Sequence, residues 1–287
     1  MNVLITGAGG MLGTDLQKAF ADTPCIALTR NELDITQELA VREAVQMHRP
    51  DVILNAAAYT NVDRCETEID QAYAVNAVGA RNVAVAAEQI GAQLVHVSTD
   101  YVFPGVSDRP YREEDETGPI GEYGRSKLAG ERLVRSLCKK HYIVRTSWLY
   151  GKHGPNFVKT MLKIGREQGA ARVVDDQVGS PTYTVDLAQA IRALVETPQY
   201  GVYHLSNQGA CSWHAFAVDI FTLAGVDVNL QAIKTREFSR PAKRPAYSVM
   251  DNMMWRLSGH EPLRHYREAL VAYLQETGEI QGGDHTS

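Results

Sequence analysis

The sequence has few cysteines, and their spacing argues against the structures that cysteine usually builds. The nine histidines show neither a His-Glu-x-x-His motif nor a pair four residues apart. None of the four cysteines forms a Cys-x-x-Cys pair with another; they are Cys25, Cys65, Cys138 and Cys211. The sequence therefore predicts no metal site and no disulfide framework, and we expect free thiols in a reducing compartment.

Long hydrophobic runs and a marked excess of one charge are also absent. No window approaches the ~18 consecutive apolar residues of a membrane span, and we expect no leader segment. The net charge is −5, whereas a nucleic-acid-binding domain is usually basic. With 44% hydrophobic and 22% charged residues, the composition excludes intrinsic disorder. We expect a cytoplasmic globular protein with neither nucleic acid nor membrane as a partner.

Apolar runs alternate with amphipathic segments along the first half of the chain. The predicted strands are 2–6, 25–28, 51–54, 93–98 and 142–146. The predicted helices are 12–20, 38–48, 70–90 and 126–137. Nearly continuous apolar strands separated by helices are typical of a parallel sheet covered on both faces. The pattern predicts an α/β fold with a Rossmann-type doubly wound parallel sheet.

The alternation loosens after residue 150, where shorter segments and apolar anchors such as Trp213 follow. We predict a dinucleotide-binding domain at 1–150, to which the segment 183–205 returns. A smaller mixed α/β cap domain at 151–182 and 206–287 is expected to bind the substrate, and 282–287 to be a frayed tail.

A glycine-rich turn follows the first predicted strand. Gly7, Gly10 and Gly13 stand three residues apart, between that strand and the first predicted helix. Small residues let the backbone approach a pyrophosphate, and the N-terminus of the helix offers N–H groups to the phosphates. In this context the glycines predict dinucleotide binding; a purely structural turn is the alternative.

The end of the second predicted strand bears on which dinucleotide is bound. A fold that binds NAD usually carries Asp or Glu there for the ribose hydroxyl. Arg30 stands here instead, and a guanidinium suits the 2′-phosphate of NADPH. Glu32 leaves NADH possible, and a solvated surface arginine is the alternative. Asp34 and Ile35 stand where such folds usually line the adenine ring.

Tyr123 and Lys127 are four residues apart, and on a helix residues at this spacing share one face. A free phenol has a pKa of about 10, and a neighbouring cation lowers it. Thr99 and Asp100 follow the end of a predicted strand, at the edge where parallel sheets carry their sites. A hydroxyl there is suited to holding a substrate carbonyl beside the phenol. A surface tyrosine with a solvated lysine is the alternative.

Together these motifs resemble the extended short-chain dehydrogenase/reductase superfamily and, within it, the family of dTDP-4-dehydrorhamnose reductases. The matching segments cover most of residues 1–205 in order; they are VLITGAGGMLG at 3–13, NAAAYTNVD at 55–63, STDYVF at 98–103, YGRSK at 123–127, RTSWLYG at 145–151 and DQVGSPT at 176–182. The resemblance implies NADPH-dependent reduction of the C4 carbonyl of dTDP-4-dehydro-β-L-rhamnose to dTDP-β-L-rhamnose, the last step of dTDP-rhamnose biosynthesis.

The resemblance also implies roles for individual residues. Tyr123 would protonate the C4 oxygen, Lys127 would lower the Tyr123 pKa and hold the nicotinamide ribose, and Thr99 would hydrogen-bond the carbonyl. With Gly7 and Arg30 from the patterns above, the expected cofactor contacts are Gly7, Gly10, Met11, Leu12, Arg30, Asp34, Ile35, Ala57, Ala58, Tyr59, Asn76, Tyr123 and Lys127. The implied substrate contacts are Val62, Thr99, Asp100, Tyr123, Trp148 and Gln177. A tryptophan in the core of the cap is the alternative for Trp148.

Other activities use the same scaffold. Dehydratases carry Asp-Glu after the active-site threonine, whereas Asp100 is followed here by Tyr101, so the second acid is missing. An epimerase needs few further groups and stays open. The alternative from another class is a noncatalytic NADP-binding regulatory subunit, similar to that of methionine adenosyltransferase. Some relatives dimerise around magnesium, but no acidic trio stands out here; a monomer and a homodimer both stay open.

We expect Arg30→Ala to weaken NADPH binding about tenfold or more and NADH binding much less, because the guanidinium would contact the 2′-phosphate that NADH lacks. Fluorescence titration of the purified variant with each cofactor measures both dissociation constants. Equal losses for the two cofactors would contradict the assignment of Arg30.

Overall fold

The computed structural model describes residues 1–281, so the frayed tail predicted at 282–287 lies outside the described residues. The strands are β1 (Val3–Thr6), β2 (Cys25–Leu28), β3 (Val52–Asn55), β4 (Gln93–Thr99), β5 (His141–Thr146), β6 (Leu149–Tyr150), β7 (Ala170–Val174), β8 (Val178–Gly179), β9 (Thr182–Tyr183), β10 (Gly201–His204), β11 (Cys211–Ser212) and β12 (Asn229–Ile233). The helices are α1 (Met11–Ala19), α2 (Glu38–His48), α3 (Val62–Cys65), α4 (Ile69–Tyr73), α5 (Ala80–Ile90), α6 (Glu122–Leu137), α7 (Phe157–Gln168), α8 (Thr184–Val195), α9 (Trp213–Ala224), α10 (Met253–Leu257) and α11 (Tyr266–Glu276).

A six-stranded parallel sheet in the order β10-β5-β4-β3-β1-β2 is the centre of the molecule. The chain passes from β1 to β2 on one side and then returns to place β3 on the other side of β1. This reversal is the switch point at which doubly wound sheets form a crevice beyond the carboxyl ends of their strands. The predicted fold class is confirmed.

Helices cover both faces of the sheet. One face is packed by α1 and α8, through side chains such as Leu16 and Ile191. The other face is packed by α2, α5 and α6, through side chains such as Val83 and Val134. Burial of the sheet on both faces explains why its strands are nearly continuously apolar. Among the helices of residues 1–281, none is long and apolar enough to cross a membrane.

A separate hydrophobic cluster joins α7, α9 and α11 to β7, which pairs in parallel with β12. The segment predicted to return to the large sheet at 183–205 contains α8, which packs on α1, and β10, which pairs with β5. The helix α10 packs beside β10, and its Trp255 belongs to the core around α1. This part of the predicted cap range therefore packs with the large sheet.

The helix predicted at 70–90 is not continuous. A π-helical turn, Ala74–Gly79, separates α4 from α5. Gly79 lies against Ile35, whose side chain would be 2.6 Å from a Cβ at that position. The helix predicted at 126–137 begins earlier, at Glu122, so that Tyr123 lies in its first turn. Both places contact distant segments, which the local periodicity does not contain: Gly79 lies against Ile35, and the Glu122 N–H donates to the Glu66 carboxylate, at 2.9 Å.

We expect Gly13→Ala to lower the free energy of unfolding by about 1–3 kcal/mol, although alanine is the better helix former. An added methyl group would meet the carbonyl oxygen of Gly7 and lie 2.8 Å from the Cα of Ala8. Gly9→Ala is the matched control, because a Cβ there lies 3.5 Å from the Thr29 side chain, an ordinary contact. Urea unfolding measures both; equal midpoints for the two variants would contradict this reasoning.

Candidate active site

A cleft of about 820 Å³ opens beyond the carboxyl ends of the strands, at the switch point of the sheet. Its lining brings together the segments that follow β1 to β5, together with Tyr123 and Lys127 from α6. The lining segments are Gly9–Gly13, Thr29–Asn31, Leu33–Ile35, Ala56–Thr60, Val97–Tyr101 and Thr146–Leu149. Within residues 1–281 no group of three or more His, Cys, Asp and Glu side chains is placed to hold a metal ion.

The glycine turn makes one end of the cleft. Gly7 has a φ of +69°, and a Cβ there would lie 2.6 Å from the backbone nitrogen of Ala57. No side chain caps the N-terminus of α1, where Gly10 is the N-cap residue. The first N–H groups of the helix are therefore available to an anionic ligand. Met11 and Leu12 line the cleft at this point, and the whole turn fits a pyrophosphate.

The segment after β2 places Arg30 at the rim of the same cleft, with its side chain exposed. Glu32 is turned back on this segment: its carboxylate accepts hydrogen bonds from the backbone N–H of Thr29, at 2.8 Å, and from the Thr29 hydroxyl, at 2.7 Å. These bonds lower the pKa of Glu32. The acid that left NADH possible is thus engaged in the turn, while Arg30 is available for a 2′-phosphate.

Asn76 lies behind the cleft wall. It is 1% exposed, and its Oδ1 accepts a hydrogen bond of 2.8 Å from the Tyr59 N–H. Its Nδ2 donates to the Tyr59 carbonyl, at 3.1 Å, and to the Ser126 hydroxyl, at 3.0 Å. Ala57, Ala58 and Tyr59 line the cleft, whereas Asn76 does not. Asn76 therefore acts as a positioning residue that ties the segment after β3 to α6, and a direct contact with a cofactor stays a prediction.

Thr99, Asp100 and Tyr123 meet at the centre of the cleft. The Thr99 hydroxyl donates to Asp100 Oδ1, at 3.0 Å, and accepts a hydrogen bond from the Tyr101 N–H, at 3.2 Å. The Tyr101 ring packs edge-on against the Tyr123 ring, with centroids 5.5 Å apart. These contacts hold the phenol beside the end of β4. Thr99, Asp100 and Tyr123 therefore come together as the sequence implied.

Burial controls the protonation of the phenol and the lysine. Burial raises the pKa of Tyr123 above its ordinary value, and the contact with Thr99 opposes this only in part. The expected lowering of the Tyr123 pKa is therefore not found, because desolvation of a phenolate dominates and the nearby Asp100 carboxylate raises the pKa further. Burial lowers the pKa of Lys127 to about 8, opposed by the Glu131 carboxylate. The Lys127 ammonium donates to the Val97 carbonyl, at 2.6 Å. Tyr123 is thus protonated at neutral pH, as a proton donor must be.

Two buried oxygen atoms at the cleft have no hydrogen-bond partner within residues 1–281: Asp100 Oδ2 and Thr146 Oγ1. Burial raises the pKa of Asp100 to about 6. Thr146 lines the cleft but was not among the predicted site residues, although it ends β5 at the same edge of the sheet as Thr99 ends β4.

The residues implied for the substrate do not all lie in the cleft. Val62, at the start of α3, and Trp148, just after β5, line it together with Asp100. Gln177 does not line it; its side-chain amide donates to the Thr235 hydroxyl, at 3.0 Å. A contact between Gln177 and a substrate therefore stays a prediction.

Comparisons with known proteins give a consistent result. The family model described as RmlD substrate binding domain matches residues 1–279. A dTDP-4-dehydrorhamnose reductase of Streptomyces griseus is 47% identical over 277 residues, 93% of this chain and 91% of the relative. The crystal structure of dTDP-4-dehydrorhamnose reductase from Bacillus anthracis, in complex with NADP, is 47% identical; the match covers 96% of this chain and 100% of that one, with a TM-score of 0.95. UDP-glucose 4-epimerase of Thermus thermophilus, at 19% identity and a TM-score of 0.82, shares the fold.

We expect Asn76→Ala to weaken NADPH binding about tenfold, because the Tyr59 segment loses both of its hydrogen bonds to this side chain. Calorimetric titration with NADPH measures the dissociation constant. The urea midpoint of the same sample separates misplacement of the segment from unfolding. Unchanged NADPH affinity in a folded sample would show that Asn76 does not position this wall of the cleft.

Proposed function

The chain belongs to the family of the RmlD substrate binding domain, and on this basis we propose that it is an NADPH-dependent dTDP-4-dehydrorhamnose reductase. The reaction reduces the C4 carbonyl of dTDP-4-dehydro-β-L-rhamnose to the hydroxyl of dTDP-β-L-rhamnose. The observation that carries the proposal is the convergence of Thr99, Tyr123 and Lys127 in the cleft that Arg30 and the glycine turn also line. A nucleotide sugar is accordingly the proposed small-molecule partner.

The cofactor half of the cleft is built by main-chain groups and one guanidinium. The N-terminal N–H groups of α1 would hold the pyrophosphate, with Gly10, Met11 and Leu12 around it. Arg30 would hold the 2′-phosphate. Lys127, at the other end, would hold the nicotinamide ribose. When bound, NADPH supplies the hydride that reduces C4.

The remaining steps belong to side chains of the chain itself. Tyr123, kept protonated by burial, donates its proton to the C4 oxygen as charge develops there. Thr99 stands beside the phenol; its hydroxyl, which donates to Asp100 in the structure, would turn to donate to the same oxygen once the substrate is bound. Lys127 keeps its charge below a pKa of about 8 and stabilises the phenolate left after transfer.

The alternatives have less support. In a dehydratase the residue after Asp100 would be a second acid, but Tyr101 stands there, and burial raises its pKa far from neutrality. The likeness to the epimerase is one of fold. A noncatalytic subunit would not need Thr99, Tyr123 and Lys127 in one cleft. Oligomeric state and the absence of a metal stay predictions.

We expect the purified protein to oxidise NADPH when dTDP-4-dehydro-L-rhamnose is added, and Tyr123→Phe to lower kcat by ~10²–10⁴-fold because it removes the positioned acid. The loss of reduced-nicotinamide absorbance measures the rate, and NADPH titration should give a nearly unchanged dissociation constant for the variant. Tyr200→Phe is the matched control, since that ring lies on the surface against Tyr142, outside the cleft.

Two outcomes are informative against the proposal. A well-folded wild-type sample that oxidises no NADPH would exclude the reductase activity. Near-normal kcat in Tyr123→Phe would keep the activity and remove Tyr123 as the proton donor.

A further inference from the structure

Trp148 has an unusual backbone conformation. Its φ is +47°, and within residues 1–281 Arg49 is the other non-glycine residue with a positive φ. Residues other than glycine rarely occupy this left-handed region, and strained residues of this kind cluster at functional sites. This conformation turns the chain after β5, and the indole lines the cleft. Surrounding contacts must therefore hold the residue in place.

One of these contacts is a stacked pair of indoles. The Trp148 and Trp213 rings are nearly parallel, with an interplanar angle of 5° and centroids 3.5 Å apart. Trp213 is the first residue of α9 and does not line the cleft. Phe157, the first residue of α7, packs on Trp213 with a centroid distance of 4.5 Å. Trp213 thus connects the cleft residue to the aromatic core of the cap.

Gly179 gives the Trp148 ring its space. A Cβ at Gly179 would lie 2.7 Å from Cζ2 and 2.7 Å from Nε1 of the indole. The strands β8 and β11 pair antiparallel, with Gly179 opposite Cys211 and Val178 opposite Ser212. Trp213 follows Ser212 directly, so the sheet of β8 and β11 positions both Gly179 and Trp213 beside the Trp148 indole. The two contacts are fixed relative to each other by backbone hydrogen bonds.

We propose that Trp213 is a positioning residue for the sugar-nucleotide half of the site, which holds Trp148 in a single orientation against the backbone of Gly179. The inference rests on the proposed function. An indole that is already fixed loses little conformational freedom when an amphipathic pyranose packs against it. The cofactor half is lined by the glycine turn and the segment after β2, whereas Trp213 does not line the cleft. The effect is therefore confined to the sugar nucleotide.

We expect Trp213→Ala to raise the KM for dTDP-4-dehydro-L-rhamnose about tenfold, with the KM for NADPH within about twofold of wild type. Trp213→Phe keeps a stacking ring and should recover the sugar KM to within about threefold. The stacked indoles should also give a circular-dichroism couplet that is lost in both variants, because Trp255, the third tryptophan, stacks on His260 instead.

Gly179→Ala disturbs Trp148 from its other contact without touching Trp213. Its added methyl should displace the indole and raise the same KM about tenfold. The matched control is Gly118→Ala, because a Cβ there meets Pro104 at 3.5 Å, an ordinary contact, and neither glycine has a positive φ. Gly118→Ala should leave both KM values unchanged.

The dissociation constant of dTDP-L-rhamnose, measured by calorimetry, separates the proposed reductase activity from the proposed positioning role of Trp213. A wild-type protein that binds this product but does not oxidise NADPH contradicts the reductase activity alone, and the variants then test positioning by affinity. A sugar KM and product affinity unchanged in Trp213→Ala, with the couplet lost, overturn the role of Trp213. Wild-type protein without product binding overturns both. A parallel rise in the NADPH KM would indicate general loosening and also contradict the proposal.

Discussion

The close approach of two backbone segments at the switch point of the sheet is the constraint on which the site depends. Gly7, after β1, lies so near the backbone of Ala57, after β3, that a Cβ would not fit. Gly13, in α1, lies equally close to the backbone of Gly7 and Ala8 in the turn that precedes the helix. The absence of these side chains lets the N-terminus of α1 face the crevice that the reversed strand order creates. The strand order that creates the crevice therefore also places the cofactor-binding end of α1.

Burial is the second determinant of the site, because it sets the protonation states of the ionisable side chains there. Three ionisable groups are buried near the end of β4 and the start of α6: Tyr123, Lys127 and Asp100. In each of them, burial shifts the pKa in the direction that favours the uncharged form. A protonated phenol and an easily deprotonated ammonium beside it form a pair suited to giving a proton and recovering it.

Much of the fold and the centre of the site could be predicted from local patterns. The sheet strands, the glycine turn and the Tyr123–Lys127 spacing each lie within a few consecutive residues, and parallel strands bring their carboxyl ends to one edge. The π-helical turn at Ala74–Gly79 and the early start of α6 were not predicted; both lie at contacts with distant segments, where the Asn76 amide donates to Ser126 and the Glu122 N–H donates to Glu66. Thr146 was missed for a different reason: its backbone register beside Thr99 becomes visible only when β4 and β5 are paired.

The sequence by itself determined the glycine turn, the Tyr123–Lys127 spacing and the positive charge at the end of β2, because each consists of neighbours along the chain. Tertiary structure alone decided how these groups are held. It turned Glu32 back onto Thr29, placed Asn76 behind the Tyr59 segment, and left Gln177 outside the cleft. It also stacked Trp213 on Trp148, which are far apart in sequence. The physical reason is that packing and desolvation depend on which distant segments meet, and local periodicity carries no information about such contacts.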